Sequence, residues 1–198
     1  FCKLEVMKEI LIKTVITCIL LFSNVLLSQD GIDIKDSGAS QTNEFEEYKE
    51  RVIASLFGAL DEQQMVIFSP EGFKHTVTVF TDIDCGFCRK FHNEIDQVME
   101  QGIRIRYLFY PRTGPGKESW KKAEQVWCSQ DRHRAMTKAK KGQKLTARVC
   151  SNTPVEKHYN IGQLLQVQGT PTIISDKGEI IIGYIQAEAL KARLESNL

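Results

Sequence analysis

Residues 77–91 read VTVFTDIDCGFCRKF, and they place Cys85 and Cys88 at the boundary between two residue patterns. The first five residues are β-branched or aromatic, which predicts a strand buried on both faces. After the cysteines, apolar residues recur at helical spacing, at Phe91, Ile95, Val98 and Met99. The two cysteines are therefore predicted to lie where a buried strand leads into the first turn of a helix.

The first turn of a helix is a favourable place for a thiolate. Its backbone N–H groups are unpaired and the helix dipole is positive there, and both stabilise the thiolate relative to the thiol. The thiolate is the attacking species in disulfide exchange, and a second thiol three residues later can resolve a mixed disulfide. On spacing alone, however, Cys-Gly-Phe-Cys is as typical of half a zinc site.

The rest of the chain argues against zinc. A structural zinc site takes four ligands, usually as two close pairs. The remaining cysteines make no second close pair, because Cys128 and Cys150 are 22 positions apart and Cys2 and Cys18 fall within an N-terminal leader. A strand that enters the motif and a helix that leaves it are typical of thioredoxins. We therefore expect a redox dithiol with no metal and no cofactor.

Composition is that of an ordinary globular protein. The chain has 198 residues, 42% of them hydrophobic and 26% charged, which is enough for one domain with a sizeable core and a leader. The net charge of +1 offers no overall field that would favour nucleic acid or a membrane surface as a partner. Six cysteines permit one or two bridges in an oxidising compartment.

The N-terminal residues predict a secretory signal peptide over residues 1–28, with Met7 as the translation start. Two lysines between residues 8 and 13 precede a mostly apolar run at 15–22, and a small residue, Ser28, closes the pattern. The apolar run is shorter than the roughly 18 residues that a membrane-spanning helix needs. An uncleaved N-terminal anchor is the alternative.

Residues 29–63 are predicted to form a polar spacer and a linker helix. Thr42 or Asn43 can cap a helix over about 44–60. That helix has an apolar stripe made of Phe45, Tyr48, Val52, Leu56 and Leu60. The stripe requires a cover, which is either the chain's own domain or a second copy in a homodimer.

Residues 64–198 predict a single α/β domain. Strands are expected at 64–68, 77–81, 103–110, 172–174 and 179–185. Helices are expected from the cysteines to near Gly102, in two or three pieces in an insert at about 117–150, and at 158–167 and 187–198. Seven Lys or Arg residues and no acid lie between Arg132 and Arg148. We interpret them as a solvated helical face, with a basic binding face as the alternative.

From about Asn43 to the C-terminus, the chain resembles the DsbC-type periplasmic disulfide isomerases of the thioredoxin superfamily. The segments that carry the resemblance are TDIDCGFC at 81–88, RYLFYPR at 106–112, WC at 127–128, Cys150 and GTP at 169–171. The resemblance implies a thioredoxin fold with a helical insert and a periplasmic location. It also implies unfolded or misoxidised exported proteins as clients, and a membrane or periplasmic thiol as electron donor.

The resemblance assigns Cys85 as the nucleophile and Cys88 as the resolving thiol. The position of the residues supports this assignment, since the more N-terminal cysteine is expected to be more exposed and closer to the helix N-terminus. Phe87, which stands where reducing members have proline, favours an oxidising poise. Asp84 opposes it, because an adjacent acid raises a thiol pKa. Nearby groups that can offset Asp84 are Arg89, Lys90 and His92.

Thr170 and Pro171 are the expected substrate-binding residues. Taken alone, a proline here only opens a strand. The resemblance implies a cis bond opposite the cysteines, with the Thr170 backbone left to pair with an extended substrate segment. For Cys128 and Cys150, buried free thiols are one interpretation. A structural disulfide is favoured in an oxidising compartment, where closing a loop of about 22 residues contributes about 3 kcal/mol.

One departure from the family concerns the N-terminus. Homodimeric members carry a dimerisation domain before the linker helix, whereas only about 15 residues separate Ser28 from Glu44 here. We therefore expect that domain to be absent. The predicted function is thiol–disulfide exchange on exported proteins, most of all isomerisation or reduction. The alternatives are a monomeric dithiol oxidase or reductase, and a non-catalytic thioredoxin-fold chaperone or secretion accessory.

Overall fold

The computed structural model of the chain describes the backbone of residues 38–196 and the side chains of residues 43–196. The predicted signal peptide, residues 1–28, and the first part of the predicted spacer lie outside these residues. Within the described part, no helix is both long and apolar enough to cross a membrane.

A five-stranded mixed sheet forms the centre of the domain. Its strands are β1 (Val66–Phe68), β2 (His75–Thr81), β3 (Ile103–Phe109), β4 (Thr172–Ser175) and β5 (Ile180–Ile182). The spatial order is β1-β3-β2-β4-β5, in which β2 and β3 are parallel and the other pairs antiparallel. The strand–helix–strand unit around the cysteines is therefore parallel, as the sequence predicts.

Strand β2 is the middle strand of the sheet, and both of its faces are buried. Val79 belongs to the larger of two apolar cores, whereas the next residue, Phe80, belongs to the smaller one. The neighbouring strand β3 alternates in the same way, with Tyr107 in the larger core and Leu108 in the smaller. This two-residue alternation follows from the pleat of a strand. It explains why nearly every residue of these two strands is buried.

Seven helices surround the sheet in the described residues. They are α1 (Gly38–Gly58), α2 (Gly86–Asn93), α3 (Ile95–Glu100), α4 (Glu118–Trp127), α5 (Arg132–Lys140), α6 (Val155–Leu164) and α7 (Ala187–Ser196). Helices α2 to α5 and α7 contribute to the larger core, and α1 contributes to the smaller one. Helix α6 contributes to both, through Val155 in the larger core and the partly buried Ile161 beside the smaller one. The α/β thioredoxin fold with a helical insert is confirmed.

The helix after the cysteines is broken, which the sequence did not predict. Glu94, at φ −101° and ψ 15°, separates α2 from α3, and its N–H bonds to Phe91 O only three residues back. Its carboxylate accepts a 2.6 Å hydrogen bond from Tyr184. Gly102 marks the end as predicted, since its φ of +75° suits a residue without a side chain.

Several other element boundaries also differ from the prediction. A 3₁₀ turn at Glu62–Gln64 replaces the start of the first predicted strand, and β5 covers only residues 180–182 of the predicted strand at 179–185. The insert is helical only as far as Lys140, because Gly142 turns the chain with a φ of +72°. Helix α6 begins at Val155, three residues before the predicted start.

Helix α1 starts before the predicted range 44–60, so Thr42 and Asn43 lie inside the helix and do not cap it. Its C-terminal half packs on its own domain through Ile53 and Phe57, with Leu56 and Leu60 partly buried beside them. The stripe read from the sequence missed the first two because it placed the buried face one residue earlier. Its N-terminal members are exposed, Phe45 at 42% and Tyr48 at 50%.

The turn between β4 and β5 approaches α1 closely at Gly178. A Cβ at this position would lie 1.8 Å from the Glu50 carbonyl oxygen, and the φ of Gly178 is +92°. Gly183 has the same φ of +92° but no heavy atom within 4 Å of its Cβ position. A side chain at Gly183 would therefore cause backbone strain alone, whereas one at Gly178 would cause backbone strain and a clash with α1.

Replacing Gly178 with alanine should destabilise the protein more than replacing Gly183. Strain at a left-handed backbone position costs about 1–3 kcal/mol, and Gly183→Ala should lose only that. Gly178→Ala should lose more, because the added methyl group displaces α1. Urea denaturation of both variants measures the difference, and equal losses would contradict the close contact.

Candidate active site

Cys85 is the N-cap residue of α2, and Cys88 lies in the first turn of that helix. Strand β2 ends at Thr81, and residues 82–84 carry the chain from the sheet to the helix. The Cys85 backbone is extended, at φ −74° and ψ 125°, and its carbonyl accepts the first helical hydrogen bond from the Arg89 N–H at 3.0 Å. The strand-to-helix junction is therefore where the sequence puts it.

Both thiols are buried. Cys85 is 3% exposed and Cys88 1%, so the expected contrast in exposure is nearly absent. The reason is the loop before β4, which covers the first cysteine. The Cys85 thiol donates to the Thr170 carbonyl oxygen across 3.1 Å, and the Thr170–Pro171 peptide bond is cis. The structure thus brings all four predicted residues into one site.

The two thiols differ in acidity. A hydrogen bond from Cys88 is the main cause that lowers the Cys85 pKa to about 4, outweighing the opposing effect of burial. The positive charge of Arg112 also lowers the Cys85 pKa. Burial, and the hydrogen bond that favours the Cys88 thiol, raise the pKa of Cys88 well above its usual value. Cys85 is the thiolate at neutral pH, and Cys88 keeps its proton.

The Thr170 hydroxyl favours the thiolate form of Cys85. In the thiol form, its Oγ1 atom is buried without a hydrogen-bond partner among the described residues. A thiolate no longer donates to the Thr170 carbonyl and becomes an acceptor instead. The hydroxyl then contributes a hydrogen bond that lowers the Cys85 pKa. An unpaired buried hydroxyl is unfavourable, so this contact adds to the preference for the thiolate.

Two cations hold the Asp84 carboxylate. The Arg89 guanidinium lies 2.7 Å from it, and the Lys122 Nζ atom lies 2.9 Å from one oxygen and 3.0 Å from the other. Arg89 was expected from the sequence, but Lys122 was not, because it is 38 residues away in the chain. The negative charge beside Cys85 is therefore largely compensated.

The other two residues expected to offset Asp84 have different contacts. The Lys90 Nζ atom lies 4.2 Å from the centre of the Tyr184 ring. His92 is buried, with its ring nitrogens 3.1 Å from Tyr107 Oη and 3.0 Å from Thr137 Oγ1. Burial is the main cause that lowers the His92 pKa to about 3. His92 is therefore neutral at physiological pH.

Asp82, which sequence reasoning did not single out, is 2% exposed. Its carboxylate accepts hydrogen bonds from the Asp84 N–H at 2.9 Å, the Arg112 N–H at 3.0 Å and the Ser119 hydroxyl. Burial raises the pKa of this carboxyl, but the hydrogen bonds lower it further, and the net pKa is below the usual value. Asp82 is an anchor for the loops around the cysteines.

The basic residues of the insert are not all solvated. Arg134, Lys141 and Lys144 are exposed, as expected for a solvated face. Lys140, in contrast, is 1% exposed. The sequence does not predict this burial. Lys140 and Lys141 are adjacent and of the same type, and they differ only in the face of the helix end on which they lie.

Cys128 and Cys150 form a disulfide, with their Cα atoms 5.7 Å apart. The bond joins the end of α4 to the segment before α6 and encloses helix α5. Cys150 is exposed and Cys128 partly buried. The pair lies away from the dithiol in sequence but frames the helix that carries Lys140.

Comparisons with known proteins agree with this geometry. The profile of the family described as Thioredoxin-like domain matches residues 61–197. The chain belongs to the thioredoxin-like domain family. Over the same part it is similar to the thiol:disulfide interchange protein DsbC of Dickeya dadantii, with 38% identity over 136 residues, which are 69% of this chain and 57% of that protein.

Other relatives carry the same description. DsbC of Escherichia coli K12 is 32% identical over 69% of this chain and 57% of its own length. A disulfide interchange protein from Neisseria gonorrhoeae has a crystal structure that matches with a TM-score of 0.62 and 25% identity, covering 70% of this chain and 98% of that one. The resemblance to DsbC-type proteins is confirmed for the thioredoxin-like domain. The chain spans about 57% of the length of both curated relatives.

Removing the disulfide of this thioredoxin-like domain should lower its stability. Closure of a loop of 22 residues contributes about 3 kcal/mol in the loop-entropy account. We expect the Cys128→Ser/Cys150→Ser variant to lose about that much free energy of unfolding in urea. The Cys85→Ser/Cys88→Ser variant is the matched control, because it replaces two cysteines and keeps the Cys128–Cys150 bridge. All proteins are unfolded without reductant, so that this bridge stays closed. A loss equal to that of the control would argue against a structural bridge.

Titration of the reduced protein should reveal an acidic thiol. Thiolate absorbance at 240 nm should rise with a midpoint of about 4 and be lost in a Cys85→Ala variant. A Cys88→Ala variant should have a higher midpoint, because its hydrogen bond is the largest cause of the low pKa. Phe87→Ala is the control, since Phe87 is 63% exposed and should leave the midpoint near that of the native chain. A midpoint near the 8.5 of a free cysteine would contradict the assignment.

Proposed function

We propose that this chain catalyses thiol–disulfide exchange on exported proteins, chiefly the reduction and isomerisation of incorrect disulfides. The observation that carries the proposal is the geometry of the dithiol, with Cys85 at the N-cap of α2, Cys88 in its first turn and the cis Thr170–Pro171 loop against the Cys85 thiol. The low pKa of Cys85 and the raised pKa of Cys88 agree with it. In the proposed mechanism, the Cys85 thiolate attacks a client disulfide and one client sulfur leaves as a thiolate. The mixed disulfide is then resolved by another client thiol, which gives isomerisation, or by Cys88, which gives net reduction.

A low pKa at Cys85 suits an isomerase in two ways. The thiolate is present at neutral pH, and it is a good leaving group, so mixed disulfides are released readily. Stabilising the thiolate also stabilises the reduced pair, which is the form that an isomerase needs. The same stability makes the disulfide form oxidising. Dithiol oxidation is therefore the second candidate function, and the thiol electron donor decides between them.

The loop at Thr170 and Pro171 is the proposed substrate-binding element. The Pro171 carbonyl accepts a 2.8 Å hydrogen bond from the Gly183 N–H, which ties the loop to the end of β5. Among residues 43–196 the Thr170 N–H has no hydrogen-bond partner. This supports pairing of Thr170 with an extended client segment. Phe87 and Ile182, exposed at 63% and 68%, offer apolar contacts to an unfolded chain.

The proposed location is the periplasm, reached through the predicted signal peptide. The proposed partners are unfolded or misoxidised clients and a membrane or periplasmic thiol that keeps the cysteines reduced, and nucleic acid is not among them. A homodimer through the helix predicted at 44–60 is a further proposal. It is supported by the exposure of Phe45 and Tyr48 on α1. Sedimentation of the native chain against Phe45→Ser/Tyr48→Ser tests it.

Reactivation of a scrambled multi-disulfide enzyme in glutathione buffer tests the proposed activity. We expect reactivation by the native chain and none by Cys85→Ala, because the nucleophile is lost. Cys88→Ala should keep part of the reactivation but accumulate mixed disulfides, because only the resolving thiol is missing.

Two results would contradict isomerisation. Rapid oxidation of a reduced dithiol peptide without reactivation would favour the oxidase. Suppression of client aggregation that survives in Cys85→Ala, without either redox activity, would favour the non-catalytic chaperone.

A further inference from the structure

A buried lysine contacts the end of the strand that leads to the dithiol. Lys140 is the last residue of α5, and its side chain is buried. The Nζ atom donates hydrogen bonds to Thr81 Oγ1 at 2.6 Å and to the Asp82 carbonyl oxygen at 2.8 Å. These two residues end β2 and begin the loop that leads to Cys85. The insert therefore supplies an amine to the base of the site.

Lys140 forms no ion pair among residues 43–196. Asp82, one of the two residues that Lys140 contacts, is an acid, but its carboxylate is bound to Arg112 and Ser119. Only the backbone carbonyl of Asp82 accepts from the lysine. A buried cation without a compensating anion is strongly unfavourable. An anion that forms in one state of the protein would relieve this.

The groups that face Lys140 identify that anion. Burial is the main cause that lowers its pKa, to about 8, and Arg89 lowers it further. Negative charges raise the Lys140 pKa, and their contributions, from largest to smallest, come from Cys88, Asp82 and Cys85. The remaining titratable neighbour is His92, which is neutral. With a pKa of about 8, most of the lysine is protonated at neutral pH.

We propose that Lys140 is the internal counter-ion of the active-site thiolate, a positioning residue that acts through Cys85 and Cys88 by holding a positive charge against their sulfur atoms. The inference deepens the proposed function and rests on it only in treating the two cysteines as a redox pair. The helical insert then has a direct effect on the redox chemistry, because it carries this charge.

The charge matters most when Cys88 resolves a mixed disulfide. Cys88 gives up its proton, its sulfur forms a bond to Cys85 Sγ, and the bond between Cys85 and the client sulfur breaks. The client sulfur leaves with the electron pair and takes a proton to become a thiol, so Cys88 is oxidised as the client sulfur is reduced. Lys140 enters this step as an ammonium group and exchanges no proton with either sulfur. Its charge lowers the pKa of Cys88 and so favours the attacking thiolate.

Lys140→Met removes the charge and keeps an unbranched apolar side chain in the buried position. Because the thiolate exists only in the reduced protein, the variant should destabilise the reduced form. We expect the equilibrium constant with glutathione to shift about tenfold towards the disulfide, which corresponds to a potential about 30 mV lower. The thiolate midpoint should rise by about one pH unit, and the mixed disulfide with glutathione should persist about tenfold longer.

Lys141→Met is the matched control, because Lys141 is the exposed neighbour and the net charge changes equally. It should leave the equilibrium constant, the midpoint and the lifetime within twofold of the native values, by analogy with other exposed charges. Equal effects of the two variants would overturn the proposal.

A measurement on the native chain keeps the proposal testable if Lys140→Met does not fold. Lysine ¹³Cε resonances can be titrated in the reduced and the oxidised protein. Coupling between two charges is reciprocal, so the Lys140 pKa should be lower by about one unit in the disulfide form, which has no thiolate. The same pKa in both forms would overturn the proposal. Neither measurement uses a client, so a chain that shows the coupling but fails to reactivate scrambled enzyme would contradict only the proposed function.

Discussion

A single buried carboxylate connects the segments that form the site. Asp82 accepts hydrogen bonds from the loop before Cys85, from Arg112 after β3 and from Ser119 in α4. These segments are far apart in sequence, and burial of the carboxylate without their hydrogen bonds would be strongly unfavourable. Because the carboxylate is paired on all sides, its burial is tolerated. The turn from β2 into α2 is consequently held in the form that makes Cys85 an N-cap.

The charged residue nearest to Cys85 in sequence is not the one that determines its pKa. Asp84 is adjacent to Cys85, yet Arg89 and Lys122 compensate it at the surface, where solvent also weakens its field. The groups that lower the pKa of Cys85 are Cys88 and Thr170, through hydrogen bonds, and Arg112, through its charge. Hydrogen bonds in the dry interior are stronger than those in water, so a few of them, together with the charge of Arg112, outweigh a compensated acid.

The helical insert contributes to the core, to the disulfide and to the base of the active site. Helices α4 and α5 contribute Trp120, Val126 and Met136 to the larger core. The Cys128–Cys150 bridge encloses α5 and limits how far its end can move. That end carries Lys140, whose Nζ atom reaches Thr81 and Asp82 at the base of the dithiol. Packing, the bridge and the buried charge therefore act on the same element.

The sequence by itself determined the parts of this protein that depend on local pattern. The buried strand at 77–81, the cysteines at the start of a helix and the end of that helical region at Gly102 follow from residue type and spacing. Tertiary structure decided the rest, because those features depend on which distant groups meet. The cover that Thr170 provides over Cys85, the contact of Lys122 with Asp84 and the burial of Lys140 beside exposed Lys141 all join residues far apart in the chain. Periodicity reports the environment averaged along one element, and it does not report the single partner that determines a charge's effect.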